Sequence, residues 1–147
     1  MKYYTPKLEE LHVGFECEIL DQSSTKLIND RKWHTVSVSP NNNELGISVA
    51  FNRIPQLLKR DEIRVKYLDT EDLESLGWIQ KLNKYVIDKS TEFPNETIRF
   101  ILNFNGSTNI QIFKISLTSY GETVENMQFK INNKSELHKL MQQLNVL

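Results

Sequence analysis

From Trp78 to Ile131 the chain reads as a meander of about four strands, and this run of strands and turns constrains the chain more than any other feature of its sequence. The runs are Trp78 to Asp88, Thr97 to Phe104, Asn109 to Thr118 and Thr123 to Ile131, with Asn105-Gly106 and Tyr120-Gly121 supplying turn residues between the last three. Ile98, Phe100, Leu102 and Phe104 give one strand a dense apolar face. A helix is predicted to follow. Asn133 with Glu136 three positions later makes a capping-box-like start, and Leu137, Leu140, Met141 and Leu144 recur at helical spacing. Packing that stripe on the apolar face of the meander gives an α+β layer architecture.

The first half repeats the theme in shorter pieces. Leu11 to Leu20 alternates, Trp33 to Ser39 reads as a short strand, and Leu45, Ile47, Val49 and Phe51 alternate with Gly46, Ser48, Ala50 and Asn52. Pro55 suits the first turn of a short helix carrying Leu57 and Leu58. Ile63, Val65 and Tyr67 alternate with Arg64 and Lys66, and a two-turn helix follows, capped by Thr70, acidic in its first turn and closed by Gly77. Asp21 to Lys26 and Pro40 to Asn43 are rich in short polar side chains and read as loops. The expected fold is α+β, a mostly antiparallel sheet of about eight strands with short helices and the C-terminal amphipathic helix packed on it.

With 147 residues, 39% of them hydrophobic, the chain is the size of one ordinary domain, and residues 1–147 are expected to form it. The formal net charge of −1 supplies no whole-molecule field for nucleic acid or an anionic membrane. Cys17 is the only cysteine and lies in line with Val13, Phe15 and Ile19, so a buried, inert thiol is expected. There is no apolar run near 18 residues, and the N-terminus carries no secretory signal pattern. The expected setting is therefore cytoplasmic, with no membrane partner. The glycosylation-like triplets starting at Asn95, Asn105 and Asn133 then have no meaning.

No Gly-rich phosphate cradle occurs, and His12, His34 and His138 form no metal-ligand spacing, so neither a cofactor nor a metal is expected. Two groups of residues remain as candidates. Lys59, Arg60, Arg64 and Lys66 cluster beside Tyr67, and Arg64 and Lys66 share a strand face about 7 Å apart, a spacing that suits an anionic ligand. Asp61 and Glu62 interrupt the cluster, as a solvated face with local ion pairs would. Trp33, between Lys32 and His34, is the aromatic most open to a ligand, whereas Trp78 after Gly77 suits a core. The alternative is the polar row His12, Glu16, Glu18. On one strand face Glu16 and Glu18 would stand about 7 Å apart and His12 about 13 Å from Glu16, which suits an acid and base flanking a water or simply the wet side of a sheet.

Tyr3-Tyr4-Thr5-Pro6 running into Glu9 to Glu16, Arg64-Val65-Lys66-Tyr67-Leu68-Asp69 through Leu76-Gly77-Trp78, and Lys130 to Met141 together resemble small proteins of bacteriophages and prophages in Bacteroidetes-type bacteria. The resemblance implies a phage product acting in the bacterial cytoplasm and carries no catalytic residue with it. The reading placed first is a non-enzymatic binding protein, such as a counter-defence factor that sequesters a nucleotide signal or blocks a host protein. Its expected partner is a small anionic ligand or a host protein, with a homo-oligomer as its setting, because a pocket shared between subunits can enclose a small ligand. The second is a nucleic-acid or replication accessory protein using Lys59 to Lys66. The third is a small enzyme with Glu16 and Glu18 as acid and base, assisted by His12.

Overall fold

The computed structural model describes residues 1–20, 32–40, 48–91 and 96–147, with the side chains of residues 90 and 91 left aside. The expected loop over Asp21 to Lys26, Asn41 to Asn43 of the second loop, the first half of the strand expected from Leu45, and Asn95 lie outside the described residues. The chain divides into two compact units, Met1–Tyr67 and Leu68–Leu147. Its buried apolar side chains fall into two clusters, one in each unit. The architecture is α+β, with two five-stranded, antiparallel-rich sheets.

In the first unit β1 (Tyr3–Tyr4), β2 (Glu16–Leu20), β3 (Trp33–Ser39), β4 (Ser48–Ala50) and β5 (Ile63–Lys66) pair in the order β1-β5-β2-β3-β4. All contacts are antiparallel except β3 with β4, which run parallel. Alternation sends Cys17, Val36, Val38, Val49, Ile63 and Val65 into the core, where Leu11, Phe15, Ile54 and Leu57 join them. The last two both come from α1 (Ile54–Lys59), whose Pro55 sits in the first turn as predicted.

The strand expected from Leu11 begins only at Glu16. Gly14 takes a φ of +86°, a left-handed conformation that glycine adopts without a Cβ clash, and Phe15 donates its amide to the His12 carbonyl to close a turn. That turn breaks the two-residue period. Val13 is consequently exposed, and His12 is displaced from any row with Glu16 and Glu18. Phe51 likewise leaves the strand pattern for a 3-10 turn over Phe51–Arg53 and is exposed.

In the second unit α2 (Thr70–Ser75) precedes β6 (Ile79–Lys81), β7 (Lys84–Thr91), β8 (Glu96–Asn103), β9 (Asn109–Thr118) and β10 (Gly121–Lys130), and α3 (Lys134–Gln143) ends the order. The strands form an antiparallel meander, β10-β9-β8-β7-β6. Ten strands thus appear among the described residues where about eight were expected. Tyr3–Tyr4 adds one, and the run from Trp78 splits into a hairpin because Leu82 takes a φ of +57°. The cap of α2 is Asp69 rather than Thr70. Asp69 and Asp72 exchange backbone-to-carboxylate hydrogen bonds in a reciprocal capping box, which a carboxylate at Asp69 accepts as readily as a hydroxyl would. Gly77 closes that helix at φ +92°.

The helix α3 behaves as its pattern requires. Asn133 accepts from the Glu136 amide at 2.9 Å, while the Glu136 carboxylate takes the Asn132 amide at 2.6 Å, one residue earlier than a standard box. Leu137, Leu140 and Met141 pack with Phe100, Leu102, Ile110 and Ile112 of the meander and with Trp78. The buried Trp78 ring donates its indole N–H to the Met141 sulfur at 3.3 Å.

Candidate functional site

Both sheets have a second face, and the two faces differ. On the first sheet, β2, β3 and β5 bring Glu18, Trp33 and Arg64 to one side, and β1 adds Tyr3 in register with Lys66. Arg64 Nη2 donates to Glu18 Oε1 at 2.9 Å. Its guanidinium carbon lies 3.7 Å from the Tyr3 ring centroid and 4.1 Å from that of Trp33, so the cation is held between two π-faces. Arg64 Nε is buried with no hydrogen-bond partner among the described residues. The planar guanidinium allows this arrangement, since it can stack on rings and still present a fork in its own plane, which an ammonium cannot.

Of the basic cluster read from the sequence, the sheet face therefore gathers Arg64, Lys66 and Trp33, and it adds Glu18 from the alternative row. Lys59 and Arg60 stand apart, exposed at the C-terminal end of α1. Tyr67 follows β5 and stacks on Tyr4 with ring centroids 4.7 Å apart. The polar row is divided. Glu18 is engaged with Arg64, Glu16 is exposed on β2 opposite Ser37, and His12 stacks edge-on against Phe15 at 5.5 Å. Trp33 is half-buried under Arg64 rather than an open platform. Tyr3 escaped sequence reasoning because it comes from a two-residue strand, too short to show a period, joined to β5 only by long-range pairing.

Cys17 sits on the opposite, inward side of β2. Burial, reinforced by the charges of Glu16 and Glu18, pushes its thiol up to about 12, so almost no thiolate exists near neutral pH.

The second sheet holds a cavity of about 770 Å³. It lies at the end of the meander where the β6–β7 turn and the β8–β9 turn come together. Six amide side chains line it, those of Asn83, Asn103, Asn105, Asn109, Gln111 and Gln128, together with Lys84 and Lys130. Phe104, Ile110 and Phe129 complete the wall, and no carboxylate is among the lining residues. Two of the amides are already oriented. Asn103 Nδ2 donates to Gln111 Oε1 at 3.3 Å, and Gln111 Nε2 donates to Asn126 Oδ1 at 3.0 Å, a ladder across β8, β9 and β10. The size falls within the ordinary range for small-molecule sites, and the lining combines two cations with groups that both donate and accept. No sequence motif announces this pocket. Its residues come from four separate strands and two turns, and only the antiparallel register collects them.

Among the described residues no group of three or more His, Cys, Asp or Glu side chains could hold a metal ion, and no helix is long and apolar enough to cross a membrane. Comparison of the chain with protein-family models, with curated proteins and with solved structures gives no match. Fold and site thus define an α+β protein with a polar, cationic cavity in its second unit.

Proposed function

We propose that the protein is a non-enzymatic binding protein whose second unit captures a small anionic ligand, nucleotide-sized and phosphate-bearing, in the amide- and lysine-lined cavity. The observation that carries this reading is the composition of the lining, with two ammonium groups, six amides and no carboxylate around about 770 Å³. Lysine serves phosphate as a point charge, and Asn and Gln pair with the donor and acceptor edges of a base. Arg64, by contrast, is ion-paired with Glu18 and held between the Tyr3 and Trp33 rings, so its charge is already engaged within the protein. Joined to the phage-like resemblance of the sequence, such capture is a counter-defence activity, in which a nucleotide signal of the bacterial host is sequestered.

Native mass spectrometry of protein purified from a bacterial host, followed by calorimetry with nucleoside phosphates and inorganic pyrophosphate, tests the reading. Lys84→Ala and Lys130→Ala are each expected to weaken binding about tenfold, about 1.4 kcal/mol, without moving Tm. Arg64→Ala is expected to leave affinity unchanged. Absence of retained mass together with absence of heat for every phosphate compound overturns the proposal.

A further inference from the structure

The four edge strands of the two sheets are unequal. Among the described residues β1, β4 and β6 contain two, three and three residues, whereas β10 contains ten and carries no proline. Short edges are how soluble proteins keep sheets from pairing with other chains, and a long open edge is a template for a further strand. Among the described residues no strand lies beyond β10, and all its side chains except Met127 and Phe129 are exposed.

We infer that the β10 edge is an interface with a second copy of this chain, paired antiparallel about a two-fold axis at Asn126 to give one continuous ten-stranded sheet. A two-fold that keeps the α3-covered faces on the same side must pass through a residue, because directly opposed residues share a face. Centred on Asn126, the register sets Glu122 against Lys130 of the second copy and Lys130 against Glu122, one opposite-charge pair at each end. Thr123 then meets Phe129 twice, an aromatic and β-branched pairing. Centring one residue earlier sets Glu125 against itself, and one residue later sets Met127 against itself and leaves both end charges without a complement. Among the described residues neither Glu122 nor Lys130 has an ion-pair partner within its own chain. The sequence of the edge is thus complementary to itself in one register.

Sedimentation velocity at concentrations up to about 100 μM, the range of a transient contact, tests this in the full-length chain. A dimer is expected. Glu122→Lys sets like charges opposite one another and is expected to weaken it at least about tenfold, and Glu122→Lys combined with Lys130→Glu restores it. Because Lys130 also lines the cavity, pairing with Glu122 of the second copy and ligand capture draw on the same cation, and the single change is therefore placed at Glu122. Asn126→Cys provides a second reading that does not depend on charge. Opposed residues at a dyad stand about 5 Å apart and form a disulfide-linked dimer on mild oxidation, whereas Val124→Cys places its sulfurs roughly 14 Å apart along the strands and does not. Monomeric wild-type protein, a dimer indifferent to Glu122→Lys, failure of the charge swap to restore it, or equal cross-linking at positions 124 and 126 each overturn the inference.

Discussion

The two sheets have the same number of strands and use their second faces in opposite ways. In the first unit the central cation is neutralised from within, because Arg64 is paired with Glu18 and clamped by Tyr3 and Trp33. In the second unit Lys84 and Lys130 stand beside six amides with no carboxylate among the lining residues. The lesson concerns what a basic residue means. A cation amid aromatic rings and an acid is a fastener, and a cation amid neutral amides at a cavity is available to a ligand. Sequence clustering points to the first kind, since Lys59, Arg60, Arg64 and Lys66 are close along the chain. The second kind is dispersed over 46 residues, from Lys84 to Lys130, and has no sequence signature.

The largest test of the contrast is whether each unit depends on its own core. Trp78→Ala removes a buried indole and its bond to Met141, and is expected to cost about 3–5 kcal/mol. Hydrogen exchange should then show protection lost across β6 to β10 and retained in β2, β3 and β5, and uniform loss through both sheets would break the division. Next comes the fastener. Arg64→Ala leaves the partly buried Glu18 without its cation and strips both rings of their partner, with an expected loss of about 1–3 kcal/mol read by chemical denaturation. Arg64→Lys should recover only part of this, because an ammonium cannot stack and bridge at once.

A smaller effect of opposite sign is expected at the β6–β7 turn. Leu82 is 96% exposed and holds a left-handed φ of +57°, so it contributes strain without burial. Leu82→Gly is expected to stabilise the second unit by about 0.5–1 kcal/mol in thermal unfolding, and to do so without altering ligand capture at the adjoining cavity.

The smallest is a pH effect on the outer face of the same sheet. Arg99 donates to Asp88 from Nε at 2.6 Å and from Nη2 at 2.9 Å, and this bidentate bond holds the Asp88 carboxyl below its ordinary value. A depressed carboxyl contributes stability that is present above its unfolded pKa and is lost as pH falls through the folded one. Both side chains are nearly half exposed, so solvent screening leaves little of this. Denaturation of Asp88→Asn should therefore match wild type in strong acid and fall only marginally behind it at neutral pH.

Local pattern alone gave the last three strands of the meander, their turns at Asn105-Gly106 and Tyr120-Gly121, the α3 stripe and the burial of Trp78 and Cys17. Each is a matter of local period or of short-range turn and cap chemistry, and such features need no partner from afar. It reached Arg64 and Trp33 as members of a site, but as an anion receptor and an open aromatic. Glu18 and Tyr3 arrive from strands 46 and 61 residues away, and only long-range pairing places the carboxylate and the ring on the Arg64 guanidinium. Tertiary structure also removed His12 from the row with Glu16 and Glu18, through one left-handed residue at Gly14 that no two-residue period can foresee. The cavity belongs wholly to tertiary structure. Strand register collects its lysines and amides, and register is set by pairing across the sheet, which a linear pattern does not contain.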